Sequence, residues 1–94
     1  MHYTYILFSS LDKQLYIGFT SNLRSRLKAH YGGFVKATQK RRPLKLICYL
    51  AFEKEEDARR SEKYLKGGNG RTQLKKQLWS SLSELKYKNL FKVS

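Results

Sequence analysis

The sequence predicts a small α+β domain whose elements follow in the order β-β-α-β-α-α. Three patterns predict it: two strand-like runs joined by a polar turn, a third apolar run after the lone proline, and stretches with apolar residues at helical spacing. Ninety-four residues, 40% of them hydrophobic, suffice for one domain with one core layer. We place this domain at residues 1–82 and a C-terminal tail at residues 83–94.

The first two strands are predicted at Tyr3–Phe8 and Leu15–Phe19. The length of the turn between them suits an antiparallel hairpin. Strand one carries apolar or aromatic residues on both faces, as a central buried strand does. Gly18 interrupts strand two, which indicates a bulge, a packing gap or a space for substrate.

A helix follows over residues 22–30, with Thr20 or Ser21 as its expected cap. Its apolar residues recur at four-residue steps and define the face turned toward the sheet. His30 falls within that face and Arg26 on its flank. We expect both side chains to lean toward the sheet, where a buried arginine needs an anion.

The segment between this helix and Pro43 is irregular and basic, with cations at Lys36, Lys40, Arg41 and Arg42. It could bind phosphates or be an ordinary solvated loop. Strand three is predicted at Leu44–Phe52 and should be mostly buried, with Cys48 as a core thiol.

The second helix is predicted over Glu53–Lys66, with acidic residues in its first turn, where the helix dipole favours them. Glu62 lies on its inward stripe and therefore needs a cation, hydrogen-bond donors or a metal. We interpret residues 67–70 as a turn and Arg71–Leu82 as the third helix, whose outward cations are Arg71, Lys75 and Lys76.

The charge indicates a polyanionic partner. Twenty Lys and Arg against seven Asp and Glu give a net charge of +13, which is typical of nucleic-acid binding. A solvated basic surface or a ribosome-associated protein would share this charge. No apolar run approaches the roughly 20 residues of a membrane span, and the N-terminus lacks a secretory pattern, so a cytoplasmic protein is expected.

The polar residues predicted to face inward suit phosphodiester hydrolysis: Tyr5, Tyr16, Arg26, His30 and Glu62. That reaction needs a base for the water, cations for the developing charge and often a carboxylate-bound metal. A serine or cysteine nucleophile is not indicated, because no Gly-x-Ser-x-Gly motif occurs and Cys48 has no histidine near it in sequence. The alternative is that the tyrosines belong to the core and that Glu62 simply pairs with Arg26.

In these residues the chain resembles the GIY-YIG nuclease family, most closely its small single-domain bacterial members. The second family motif is present as Tyr16-Ile17-Gly18, and the first aligns with Tyr3-Thr4-Tyr5, where Tyr3 replaces the motif glycine. The helices match as Asn22-Leu23-x-x-Arg26-Leu27-x-x-His30 and Ala58-x-x-x-Glu62-x-x-Leu65-Lys66, and the basic stretch matches as Lys36-x-Thr38 and Arg41-Arg42-Pro43-Leu44.

The resemblance implies a three-stranded antiparallel sheet flanked by helices, with the active site on one sheet face. It implies that Tyr5 is the general base or positions the water, assisted by Tyr16. Arg26 would stabilise charge on the scissile phosphate, and His30 would aid proton transfer or hold Tyr5. Glu62 would bind one divalent metal ion, Mg²⁺ or Mn²⁺.

The resulting hypothesis is a metal-dependent DNA endonuclease of low sequence specificity or with a preference for structured DNA, acting in repair or recombination. Larger family members have a separate DNA-binding domain, so substrate selection here would fall to the chain's own basic residues or to a partner protein. The candidate nucleic-acid contacts are Gly18, Lys36, Lys40, Arg41, Arg42, Arg71, Lys75 and Lys76. The alternative is a module that keeps the fold and binds DNA or RNA without cleavage. We expect a monomer or a weak homodimer.

Overall fold

The computed structural model describes residues 1–86 and has the predicted α+β architecture. Its strands are β1 (His2–Ser9), β2 (Leu15–Thr20) and β3 (Leu44–Phe52). Its helices are α1 (Leu23–Tyr31), α2 (Glu55–Lys66), α3 (Gly68–Gln77) and α4 (Trp79–Leu85), with a short 3-10 helix at Gln39–Arg41. Within these residues, no helix is long and apolar enough to cross a membrane.

The sheet has the strand order β2-β1-β3, and both pairs of neighbours are antiparallel. The predicted hairpin and the predicted central position of β1 are therefore confirmed. Tyr5 lies at the middle of the sheet, opposite Gly18 of β2 and Tyr49 of β3. Directly paired residues point to the same face of a sheet, so Tyr5, Gly18 and Tyr49 share one face. Tyr3 also points to this face, because it lies two residues before Tyr5.

The other face of the sheet carries the hydrophobic core. Ile6 and Phe8 of β1 pack there with residues from β2 and the last three helices, namely Leu15, Ile17, Leu65, Leu74 and Leu82. The buried hydroxyl of Thr4 donates a hydrogen bond of 2.6 Å to the carbonyl of Ala58 and so ties β1 to α2. The sheet therefore separates two layers: α2 to α4 pack on the core face, and α1 reaches the opposite face.

Strand three differs from its prediction. Its bounds are as predicted, but it forms an edge of the sheet and is only partly buried, with Tyr49 and Leu50 exposed. Cys48 is half-buried rather than a core thiol, and burial raises its pKa. An edge strand has a neighbour on one side only, so part of its apolar surface stays in contact with solvent.

The helix termini correct three predictions. The cap of α1 is Asn22, whose side chain accepts a hydrogen bond of 3.1 Å from the Ser25 N–H. Residues 67–70 do not form a turn between helices, because α3 begins at Gly68. The predicted third helix is two helices, α3 and α4, and Arg71 and Lys75 are half-buried rather than outward.

The predicted domain boundary at residue 82 falls inside α4, so residues 83–85 continue that helix. Residues 87–94 of the predicted tail lie outside the described residues.

Candidate active site

A chain of three buried side chains crosses the face of the sheet below α1. The hydroxyl of Tyr5 lies 2.7 Å from Nε2 of His30, and Nδ1 of His30 lies 2.7 Å from the hydroxyl of Thr38. All three residues are almost completely buried. Strand β1, helix α1 and the following loop each supply one member, so the chain of hydrogen bonds exists only in the folded protein.

Two further predicted residues complete the cluster. Arg26 donates from Nε to the Tyr5 oxygen over 3.4 Å, as its position on the flank of α1 predicts. The ring of Tyr16 packs edge-on against His30 with centroids 5.3 Å apart, and it lies 6.4 Å from the ring of Tyr5. The four residues Tyr5, Tyr16, Arg26 and His30 thus form one cluster, in which His30 and Arg26 contact the Tyr5 oxygen.

Gly18 makes room for the Tyr5 ring. A β-carbon at this position would lie 2.4 Å from both Cζ and the hydroxyl oxygen of Tyr5. The sequence left open a bulge, a packing gap or a space for substrate, and the structure shows a different reason for this glycine: the ring of Tyr5 packs directly against it. The space above Gly18 is filled by Tyr5, so Gly18 makes room for that ring, and its contact with nucleic acid stays a prediction.

The environment fixes the protonation of the pair at neutral pH. Burial, reinforced by the nearby Arg26 charge, lowers the pKa of His30 to about 4, so its imidazole is neutral. Burial raises the pKa of Tyr5, and the hydrogen bond from Arg26 opposes that rise. Tyr5 is therefore protonated at rest and has a neutral acceptor beside it.

The hydrogen bonds are mutually consistent in one arrangement. Arg26 donates to the Tyr5 oxygen, so the phenol proton is directed to Nε2 of His30. The Nδ1–H of His30 then donates to the hydroxyl of Thr38. Thr38 was visible in the sequence only as part of the Lys36-x-Thr38 stretch, and nothing in the spacing indicated its contact with His30.

Glu62 lies on α2, outside the hydrogen-bonded cluster. Its side chain is 21% exposed and pairs with Lys66 over 2.9 Å, one helical turn away. The alternative that Glu62 pairs with Arg26 is not what the structure shows. Its negative charge nevertheless reaches the cluster, since it contributes to raising the pKa of Tyr5.

Glu62 could serve as the single carboxylate ligand of a hard divalent cation such as Mg²⁺. Among residues 1–86, no group of three or more His, Cys, Asp or Glu side chains could form a complete metal site. Mg²⁺ is commonly bound by one or two carboxylates, with water and substrate phosphates as its other ligands. Only one oxygen of Glu62 takes part in the pair with Lys66, so the other remains for such a contact.

The predicted basic contacts divide into three groups. Lys36 and Lys40 are exposed on either side of Thr38, next to the buried cluster. Arg41 makes a two-point ion pair with Asp12 through its guanidinium, at 2.6 and 3.2 Å, so its predicted contact with phosphates would have to compete with that pair. Its third bond, to the Leu15 carbonyl, fastens the loop to the hairpin.

Arg42 is exposed and donates to the Gln39 carbonyl over 3.1 Å. The cations of α3 lie elsewhere: this helix inserts Leu74 into the core on the side of the sheet opposite Tyr5. The sequence could not show which of these cations lie near the cluster, because all of them occur in stretches that are equally rich in Lys and Arg. Among the predicted basic contacts, the exposed cations close in sequence to the cluster are therefore those of the loop after α1.

Comparison with known proteins gives the family. Residues 1–77 match the GIY-YIG catalytic domain. A UPF0213 protein of Clostridium perfringens is 43% identical over 67 residues, which are 70% of this chain and 71% of that protein. A UPF0213 protein of Lactococcus lactis subsp. cremoris is 34% identical over 87 residues, which are 92% of this chain and 88% of the relative.

No solved structure matches the chain. The matched region contains every residue of the buried cluster together with Glu62. The expected resemblance is therefore confirmed, and the chain belongs to the GIY-YIG family of the nuclease superfamily.

Proposed function

We propose that the protein is a metal-dependent DNA endonuclease that hydrolyses phosphodiester bonds. The observation that carries this proposal is the phenol of Tyr5 held between Arg26 and a neutral His30. Any buried tyrosine hydroxyl needs one hydrogen-bond partner, but the Tyr5 oxygen has two, an imidazole that can take its proton and a guanidinium that can stabilise negative charge. Membership of the GIY-YIG family supports the same reaction class.

The hydrogen bonds give Tyr5 a route for its proton. When water attacks phosphorus, the proton of the water passes to the Tyr5 oxygen while the Tyr5 proton passes to Nε2 of His30. The bond between phosphorus and the leaving sugar oxygen breaks, and this oxygen takes a proton from solvent. His30 then releases its extra proton readily, because the pKa of its imidazolium is about 4.

The charge that develops on the phosphate needs cations. Arg26 lies at the Tyr5 oxygen, where its remaining guanidinium N–H groups can donate to a phosphate oxygen. Glu62 is the residue that would hold the divalent ion, and an ion bound there supplies further charge stabilisation at the phosphate. Exchange of the Lys66 contact for the metal would leave the helix intact, since the pair is partly exposed.

DNA is the substrate that this charge distribution favours. Lys36, Lys40 and Arg42 form a basic loop beside the cluster and can bind phosphates without reading sequence. We therefore propose low sequence specificity or a preference for structured DNA, with a role in repair or recombination, and targeting by a partner protein if the basic loop does not suffice.

Cleavage of labelled DNA tests the proposal. Duplex, single-stranded, flap and four-way-junction DNA are incubated with Mg²⁺, Mn²⁺ or EDTA, with Tyr5→Phe and Glu62→Ala beside the wild type. We expect metal-dependent cutting to fall at least a hundredfold in both variants, the scale on which loss of a general base acts. Tyr64→Phe is the matched control, because Tyr64 is an exposed tyrosine on α2, outside the cluster.

A second candidate, a module that binds nucleic acid without cleaving it, is favoured by one observation. Tyr5 is 1% exposed, so water must enter or α1 must shift before the phenol can act. This candidate predicts that no substrate is cut under any metal condition, while DNA or RNA is still bound. Retained cutting by Tyr5→Phe would contradict the assignment of Tyr5 as the base.

A further inference from the structure

A groove lies beside the active-site cluster and is not used in the proposed reaction. It runs between the first strand and α1 and has a volume of about 570 Å³. Two tyrosines and two leucines form its apolar walls, and two cations border it; these residues are Tyr3, Tyr31, Leu23, Leu27, Arg24 and Lys28. The volume lies within the range of small-ligand sites, about 300–1,000 Å³.

The groove is continuous with the cluster through two elements. Tyr3 lies two residues before Tyr5 on β1, on the same face and about 7 Å along the strand. Arg26, which donates to Tyr5, precedes Leu27 of the groove on α1, so the same two turns of this helix supply residues to both sites. A strand with its phosphate at Tyr5 and Arg26 would therefore place an adjoining nucleotide at the groove.

The chemistry of the lining fits one nucleotide. Flat aromatic and aliphatic side chains bind the face of a base, while Arg24 and Lys28 match the charge of its phosphates. No acidic residue lines the groove. Tyr31 is 46% exposed, and the ring of Tyr3 meets the exposed ring of Tyr49 edge-on at 6.0 Å. These rings leave aromatic surface available to a ligand.

We propose that this groove binds an unpaired base of the DNA strand that is being cut, next to the scissile phosphate. This inference rests on the proposed function and adds to it the form of the substrate. A base inside a duplex is stacked on both faces and cannot reach the groove. Tyr3, which stands where the family motif has glycine, supplies one wall of the groove.

Binding of a fluorescent oligonucleotide tests the groove without cleavage. Single-stranded DNA carrying 2-aminopurine, and the same strand paired with its complement, are titrated with the protein in EDTA. We expect stacking to quench the fluorescence of the single strand and the wild type to bind it more tightly than the duplex. Tyr3→Leu and Tyr31→Leu should each weaken single-strand binding about tenfold, within the range for loss of a base–aromatic stack.

Tyr64→Leu is the matched control, because Tyr64 is 52% exposed and lies on α2 away from the groove. It should change affinity less than twofold. Tyr31 is also exposed, so Tyr31→Leu keeps the test valid if Tyr3→Leu does not fold. Unchanged binding by Tyr31→Leu, equal binding of paired and unpaired DNA, or tighter binding of the same RNA sequence would each overturn the proposal.

The two proposals fail in different ways. If the wild type cuts no DNA but the tyrosine variants lose quenching as expected, the groove is supported and the nuclease proposal fails. If the wild type cuts DNA and the variants bind and quench like the wild type, the nuclease stands and the groove proposal fails.

Discussion

The hydroxyl of Thr38 ends the hydrogen-bond chain that starts at Tyr5, and in the proposed reaction it would act only through His30. In Thr38→Val, Nδ1 of His30 loses its partner, and the imidazole is free to turn away from Tyr5. We expect cleavage to fall about tenfold, equivalent to about 1.4 kcal/mol in the barrier. The measurement is single-turnover cleavage of the preferred DNA.

Two further variants separate this positioning role from a structural one. Thr38→Ser keeps the hydroxyl and should retain most of the activity. A purely steric role predicts the opposite order, because valine keeps the branched shape of threonine and serine loses its methyl group. Thr72→Val removes an exposed hydroxyl that bonds only within α3, and it should cleave like the wild type. Equal activity of all three variants would contradict a role for Thr38.

His30 links the stability of the protein to pH. Its folded-state pKa of about 4 lies below the ordinary value of 6.5, so the unfolded chain takes up this proton first. The stabilisation is complete above about pH 6.5 and is lost as the pH falls toward 4. Between pH 7 and pH 5 we expect a loss of about 2 kcal/mol from this residue.

Urea unfolding of the wild type and His30→Gln at both pH values measures this contribution. The variant has no group that titrates here, so its stability should change less between pH 7 and pH 5. The carboxylates are present in both proteins and change the stability of both in the same way. The difference between the two proteins in the change of unfolding free energy with pH therefore measures His30 alone. Parallel slopes would show that His30 is not held neutral by the fold.

At the scale of elements, α2 and α3 pack closely because of one glycine. A β-carbon at Gly70 would lie 1.9 Å from the carbonyl oxygen of Tyr64, a backbone atom that cannot move without shifting α2. We expect Gly70→Ala to lower the free energy of unfolding by about 2–3 kcal/mol. In Gly68→Ala, no atom would lie within 4 Å of the β-carbon, so stability should stay within about 1 kcal/mol of wild type.

Chemical denaturation of both alanine variants makes this comparison. Similar stability of the two would mean that α3 can move away from α2 at little cost. The same contact explains why the start of α3 was missed. Three glycines at residues 67–70 indicate a turn by local propensity, but packing of Gly70 against α2 favours the helix.

Strand and helix bounds were predictable where the local pattern and the tertiary structure agree. The hairpin, the central position of β1 and the bounds of β3 follow from apolar runs and turn residues. The exposure of β3 does not, because the same apolar run suits a central strand or an edge strand, and the neighbours of a strand decide which it is. Asn22 as the cap of α1 was within one residue of the expected position.

For the whole molecule, the convergence of Tyr5, Tyr16, Arg26 and His30 could be inferred from periodicity and the family motifs. The spacing of apolar residues predicts which side chains of each strand or helix point inward. Packing of α1 on the sheet then brings these inward side chains into contact. Thr38 and the ion pair of Arg41 with Asp12 could not be inferred. Both depend on how the loop after α1 folds back, and no repeating pattern specifies that path.

The net charge of +13 is spread over both sides of the sheet, but the site needs cations on one side only. Lys36 and Lys40 flank Thr38 in sequence and are exposed, and the proposed function predicts that a DNA strand bound at Tyr5 contacts them. Each phosphate contact contributes about −0.9 to the slope of log K against log salt concentration. Lys36→Glu with Lys40→Glu should therefore make the slope shallower by about 1.8 and weaken DNA binding.

Lys63→Glu with Lys76→Glu is the matched control, since both lysines are exposed and lie on α2 and α3, the core-side helices. The two double variants have the same net charge, so any long-range effect of the protein's field is equal in both. Titrations of duplex DNA from 50 to 200 mM salt should show a reduced slope in the loop variant only. Equal losses in both would mean that DNA responds to total charge, and that the loop provides no localised phosphate contacts beside Tyr5.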